Sequence, residues 1–248
     1  NMDAEGATFI QAGIQLAINE FTGVTDTVVA TGPQAGTVRM PIMVLMSDGA
    51  PTAATTSFNN VGNSTLGTGN SNGTTSREAY VTQLSCAYAK SVMAQKYGRT
   101  PLFYTLGLNV GNIDFAKAVL DPANAGVPYT TYWSQYAAAQ NNGSSSITQT
   151  LVYNNSNTNF TVPVVQNIEK NYVDRYFLAS GDNSLSSAFE SIVQQIIIQS
   201  KYYPTLVDNG QHHLDGYITF NDELGPFMQV KDIKGLTVEG TLYKGSAI

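Results

Sequence analysis

The chain has 248 residues, 42% hydrophobic and only 12% charged, with a formal net charge of -6. That length and apolar content suffice for one large domain, or one domain with part of another, while the acidic balance argues against nucleic acid as a partner. Polarity comes from Ser, Thr, Asn, Gln and Gly, a surface chemistry that suggests an extracellular protein, and the longest apolar run is far short of a membrane span. The single cysteine, Cys86, excludes a disulfide within the chain and reads as a small buried hydrophobe on a helix.

Ile10, Ile14, Ala17, Ile18 and Phe21 recur at helical spacing and predict a helix over Thr8–Phe21, where Thr8-Phe9-Ile10-Gln11 fits a capping box. Pro41-Ile42-Met43-Val44-Leu45-Met46 is an unbroken apolar run, the pattern of a strand buried on both faces of a parallel sheet. It stops at Ser47-Asp48-Gly49-Ala50-Pro51-Thr52, where Gly49 and Pro51 force a turn. Asp48 is therefore expected at the carboxyl end of a central strand, where open α/β sheets place their ligands. Residues 53–76 read as a long surface loop. A second helix is predicted over Ser76–Tyr97, with Val81, Leu84, Tyr88 and Val92 inward and Gly98 as its stop.

Pro101–Val110 is the next strand and Phe115–Leu120 a short helix broken before Pro122. Residues 123–170 show no clear period and read as an insertion with a few irregular strands. Val173–Ala179 is a further strand, and Leu185–Ser200 a helix with Leu185, Phe189, Ile192, Val193, Ile196 and Ile197 inward. The alternation predicts an α/β fold with a mostly parallel sheet. After Pro204 the pattern changes to three short strand candidates, Tyr217–Phe220, Phe227–Ile233 and Leu236–Tyr243. The expected organisation is an α/β domain over 1–203 and part of a β-rich domain over 204–248.

An acid at a strand end is a candidate ligand for a hard cation, although Asp-Gly is also common in plain turns. Thr8 is a candidate second oxygen, although it also reads as a helix cap. Gly6-Ala7-Thr8, then Ser47-Asp48-Gly49 with Pro51, then the closing strand and helix from Tyr176 through Leu185, Phe189 and Ile192 together resemble the von Willebrand factor type A family. The resemblance spans roughly residues 1–201. It implies a doubly wound sheet, incomplete here at its N-terminus, with a divalent-cation adhesion site on its upper edge. Of that site it implies Thr8 and Asp48 as metal ligands for Mg2+, or for Mn2+ or Ca2+. The family's Asp-x-Ser-x-Ser loop is missing upstream of Thr8, so the chain is expected to be a fragment or processed piece that binds metal weakly or not at all. Asp182-Asn183-Ser184-Leu185-Ser186 matches that loop literally but reads as an acidic, Ser-rich start to the final helix.

The resemblance further implies recognition of an acidic group on an extracellular protein, from a host or matrix, through the cation. Asp222-Glu223-Leu224-Gly225 followed by Met228-Gln229-Val230 resembles segments of large Gram-positive bacterial surface proteins and pilus-tip adhesins. That implies a cell-surface location, attachment to the cell wall, and packing against other segments of the same protein. An alternative is an assembly module of a surface fibre with a non-functional metal site. No Gly-x-Ser-x-Gly elbow, His-Glu-x-x-His helix or phosphate loop is present, and the expectation is a protein that is not an enzyme. His212 and His213 are adjacent and read as loop residues. Lys231 and Lys234 read as solvated lysines rather than halves of a cross-link. Trp133 with Tyr129, Tyr132 and Tyr136 reads as packing of the insertion rather than a binding patch.

Overall fold

A computed structural model describes residues 8–31, 35–55, 57–59, 76–110, 114–153, 156–180, 182–201, 236–238 and 241–243. The chain divides into two compact units, Asn1–Ser200 and Lys201–Ile248. In the first, helix α1 (Ile10–Gly23), strand β1 (Ile42–Ser47), helix α2 (Ser76–Tyr97), strand β2 (Leu102–Leu108) and helix α3 (Asp114–Leu120) come first. Helix α4 (Val127–Asn141), strands β3 (Ser146–Tyr153), β4 (Ser156–Pro163) and β5 (Arg175–Ala179), and helix α5 (Asp182–Lys201) follow. The fold is mixed helix and strand, built on a three-stranded sheet in the order β1-β2-β5. Both pairings are parallel, with Ile42 opposite Leu102, Ser47 opposite Gly107, and Leu108 opposite Ala179.

The larger core lies on one face of this sheet. Met43 and Phe103 meet Ile10, Ile14 and Ile18 of α1 and Tyr80, Leu84 and Met93 of α2 there. Residues 77–87 of α2 are buried without interruption. Most of its polar side chains are nonetheless bonded: Thr82 donates to Glu78 O at 2.7 Å and Ser85 to Phe58 O at 2.9 Å, with Glu78 Oε2 the exception among the described residues. A buried polar group with its hydrogen bond in place costs little, so the helix tolerates full enclosure. The other face carries a smaller core in which Tyr104, Leu106, Phe177 and Ala179 meet Ala188 and Ile192 of α5.

The expectation that β1 is buried on both faces does not hold. Val44 is 40% and Met46 48% exposed, and among the described residues β1 stands at the edge of its sheet. The physical reason is that α5 covers β2 and β5, while β1's side chains on that face have no comparable cover. An unbroken apolar run marks a strand that can be covered twice; it does not supply the second layer.

Residues 123–170 also differ from the expected irregular insertion. Tyr129, Tyr132, Trp133 and Tyr136 fall at i, i+3, i+4 and i+7 on α4 and are buried together against α2. Helix α4 has Pro in its first turn and ends before Gly143, whose φ of 68° is the left-handed value that favours glycine after a helix. Strands β3 and β4 then form an antiparallel hairpin, Ser146 opposite Pro163 and Tyr153 opposite Ser156.

Asp174 fixes β5 to β2. It donates its N–H to Phe103 O at 2.8 Å and accepts Phe103 N–H on Oδ2 at 2.7 Å, while Lys90 Nζ lies 2.9 Å from both its oxygens. At the far end of β2 a Cβ on Gly107 would stand 2.8 Å from Tyr176 Oη and 2.5 Å from Val110 Cγ2, so only glycine leaves room for both.

In the second unit the described residues form strands β6 (Leu236–Val238) and β7 (Thr241–Tyr243), paired antiparallel. The single strand expected over Leu236–Tyr243 is thus two strands. The strands expected over 217–220 and 227–233 lie outside the described residues.

Candidate functional site

A helix that links two parallel strands runs back across the sheet, so α2 starts at the edge where β1 ends. The start of α1 lies at the same edge. Thr8 N–H donates to Thr52 Oγ1 at 2.8 Å, and Thr52 N–H donates to Thr8 O at 3.0 Å. These bonds tie the approach to α1 to the segment that follows the Asp48 turn. Thr8 Oγ1 lies 3.7 Å from where a Cβ on Gly49 would stand, so the Thr8 hydroxyl faces the Asp48-Gly49 turn. The structure therefore brings the two sequence-predicted site residues to one place.

The turn has its own support. Ser47 is buried, and its hydroxyl donates to Gly49 O at 3.0 Å and accepts Gly49 N–H at 3.4 Å. That local loop closes the backbone around Asp48 and leaves the Asp48 side chain exposed.

The expected capping box is absent. Helix α1 begins at Ile10, its N-cap is Phe9, and no side chain caps it. Gln11 turns inward instead and is fully buried. Its Oε1 accepts Thr55 N–H at 2.6 Å and its Nε2 donates to Thr55 O at 3.4 Å, so the side-chain amide pairs with a backbone amide as a neighbouring strand would. Gln11 and Thr52 were not legible as site residues, because nothing in a Thr-x-x-Gln spacing distinguishes a cap from a clasp onto a distant segment. Replacing Gln11 by alanine is expected to destabilise the domain by about 1–3 kcal/mol, since it strands a buried N–H. Chemical denaturation of the Q11A variant would measure this; Q11E, which sets a buried carboxylate against Thr55 O, is expected to cost at least as much.

Arg77 and Glu78 open α2 at this edge, both buried, with Arg77 Nη2 2.7 Å and Nε 3.2 Å from Glu78 Oε1. Among the described residues Glu78 Oε2 has no hydrogen-bond partner. Nothing in the local residue pattern signals that this pair is enclosed.

As a metal site the edge offers the right donors in too small a number. The Asp48 carboxylate and Thr8 hydroxyl are hard oxygens of the kind Mg2+ takes, but the ion wants about six in near-octahedral array. Among the described residues no group of three or more His, Cys, Asp or Glu is placed to hold a metal ion. The remaining ligands would have to come from elsewhere.

The other sequence candidates are placed as follows. Cys86 is fully buried, and burial pushes its thiol well above the ordinary range, so it is a packing residue and not a nucleophile. Trp133 and its tyrosine neighbours are buried and form no surface patch. Asp182 and Asn183 open α5, in keeping with their reading as the start of the final helix. His212, His213, Lys231 and Lys234 lie outside the described residues. No helix among the described residues is long and apolar enough to cross a membrane. Comparison with protein-family models, with curated proteins and with solved structures finds no match.

Proposed function

We propose that this chain is part of an extracellular adhesion module of the von Willebrand A type, with a doubly wound sheet, which recognises an acidic group on a protein partner through a divalent cation. The observation that supports the reading is the meeting of the Thr8 hydroxyl with the Asp48-Gly49 turn at the carboxyl edge of a parallel sheet. In this reading Thr8 and Asp48 are two ligands of Mg2+, and further oxygens arrive on a strand that pairs along the open edge of β1. When bound, the cation supplies an open coordination position for a partner's carboxylate. The exposed Asp48 points its carboxylate to solvent, as such a position requires. The acceptor of this chemistry is a Glu or Asp side chain of a host or matrix protein, and the module belongs on a bacterial cell surface.

The chain by itself is expected to bind Mg2+ in the millimolar range or weaker. Calorimetric titration with MgCl2 checks this, and micromolar affinity lost in Asp48→Ala would show that the site is already complete. In the intact surface protein the same substitution is expected to lower Mg2+-dependent adhesion at least about tenfold, the scale on which metal sites respond to loss of supporting groups. Adhesion unchanged by Asp48→Ala would rule out the metal-dependent reading. A second reading, an assembly module that packs against other segments of a surface fibre, draws support from the exposed Val44 and Met46 on β1. In that case Val44→Asp, not Asp48→Ala, would impair function.

A further inference from the structure

We propose that the groove between β3 and α4 binds an extended segment of another polypeptide by strand addition to the free edge of β3. The argument starts from hydrogen-bond alternation. Val164 N–H donates to Ser145 O at 2.9 Å, so residues 145 and 164 form a hydrogen-bonded pair of the antiparallel ladder. The register then makes Ser146–Pro163, Thr148–Thr161 and Thr150–Asn159 the non-hydrogen-bonded pairs. Two side-chain bonds agree with the close approach such pairs have: Thr148 Oγ1 to Thr161 Oγ1 at 2.7 Å and Thr150 Oγ1 to Asn159 Oδ1 at 3.2 Å.

In a non-hydrogen-bonded pair each residue turns its N–H and C=O away from the partner strand. Ser146, Thr148 and Thr150 therefore present their backbone groups on the outer edge of β3, and among the described residues no other strand takes that edge. All three residues line a groove of about 590 Å³. Its opposite wall is one stripe of α4 and its C-cap, Gln135, Ala138, Ala139 and Asn142, at i, i+3, i+4 and i+7.

Each part of this arrangement suits an extended chain. The two alanines hold the helix wall back. The amides of Gln135 and Asn142 stand at the two ends, and among the described residues no charged side chain lines the groove, which selects a neutral segment. Main-chain bonds to a sheet edge supply affinity in this mode of recognition. The outer edge of β4 is blunted by Pro163, which has no N–H to offer; β3 carries no such block.

The test is amide hydrogen exchange by NMR on the whole chain, with the neutral hexapeptide acetyl-(Thr-Val)3-amide as probe. Exchange at Thr148 and Thr150 is expected to slow by about tenfold or more on saturation, the worth of one added hydrogen bond. The same peptide N-methylated at alternate residues is expected to give no protection. Ala138→Leu, an exposed position on the groove wall, is expected to block the peptide while leaving the Thr161 and Asn159 resonances in place. Thr148→Pro removes one outward donor, keeps the hairpin, and is expected to weaken binding. No protection at millimolar peptide, protection at residues away from β3, equal binding of the N-methylated peptide, or full binding by Ala138→Leu would each overturn the proposal.

Discussion

Replacement of Trp133 by alanine is expected to cost about 3–5 kcal/mol of folding stability, the range for truncating a buried aromatic. Trp133 is 6% exposed and lies where α4 meets α2. Its ring stands edge-on to Tyr80, with centroids 6.1 Å apart, and close to Tyr136 at 5.8 Å. Its Nε1 donates to Gln83 Oε1 at 2.8 Å, and Gln83 Nε2 in turn donates to Ala118 O on α3. The indole thus joins three helices through one relay. Alanine opens a cavity and also leaves the buried Gln83 oxygen without a donor, which adds about 1–3 kcal/mol. Domains are stable by only about 5–15 kcal/mol, so the variant is expected to lie near the limit of folding. Circular dichroism during thermal unfolding is the suitable probe, because the substitution removes the chain's only tryptophan. Trp133→Phe, which keeps most of the apolar volume, is expected to lose much less. A melting temperature lowered by under about 3 °C in Trp133→Ala would contradict this account.

A second large effect is expected at alkaline pH. Burial raises the Tyr136 phenol to about 12 from its ordinary 10.0, against a small opposing pull from the Val165 N–H. Burial drives Tyr80 and Tyr172 higher still, and it raises the Cys86 thiol far above its ordinary 9.0. In the folded state these groups keep their protons over a range in which the unfolded chain loses them. The native state then holds more protons than the unfolded one, so stability falls as pH rises. Their contribution is intact below about pH 9 and is lost by about 1.4 kcal/mol per pH unit for the thiol above pH 9 and for each phenol above pH 10. For Tyr136 the loss levels off near pH 12, and for the others it continues. Because all of these groups are shifted in the same direction, stability at pH 11 is expected to be clearly lower than at pH 8. Urea unfolding at pH 8, 10 and 11 checks this. Midpoints that coincide at pH 8 and 11 would mean that these groups reach solvent in the native state.

The elements that the sequence disclosed are those whose side-chain period matches their backbone. Helix α2 carries apolar residues at helical spacing although 77–87 are buried all round; β2 shows Leu102, Phe103, Tyr104, Leu106 and Leu108; and of the six α5 residues expected inward, Leu185, Ile192 and Ile196 pack on the sheet while Phe189 and Val193 are exposed. Helix α4 has equally regular spacing, but its inward residues are tyrosines and a tryptophan, which also serve as surface and turn residues and so hid the period. Over Ser146–Leu151, strand β3 alternates polar and apolar residues except at Gln149. That residue faces inward, where its Nε2 donates to Tyr132 O at 2.8 Å and to Gln135 Oε1 at 3.0 Å. One inward amide is enough to break a hydrophobic alternation read from residue type alone. The candidate site was legible in its two named residues, Thr8 and Asp48. What joins them was not, because Thr52 and Gln11 act through backbone partners some forty positions away, and such pairings leave no trace in local spacing.

The unequal layers on the two faces of the sheet have a kinetic consequence. Helix α5 is held by a short row, Ala188 and Ile192 fully enclosed with Leu185 and Ile196 partly so, while Phe189, Val193 and Ile198 remain in water. Few enclosed contacts mean a low free energy for local opening. The last helix can peel from β2 and β5 while α1, α2 and α4 stay locked around Tyr80 and Trp133. Because the chain leaves the sheet through α5, tension applied from its C-terminal side reaches that row first. Under such tension the domain is expected to yield there before its main body is strained.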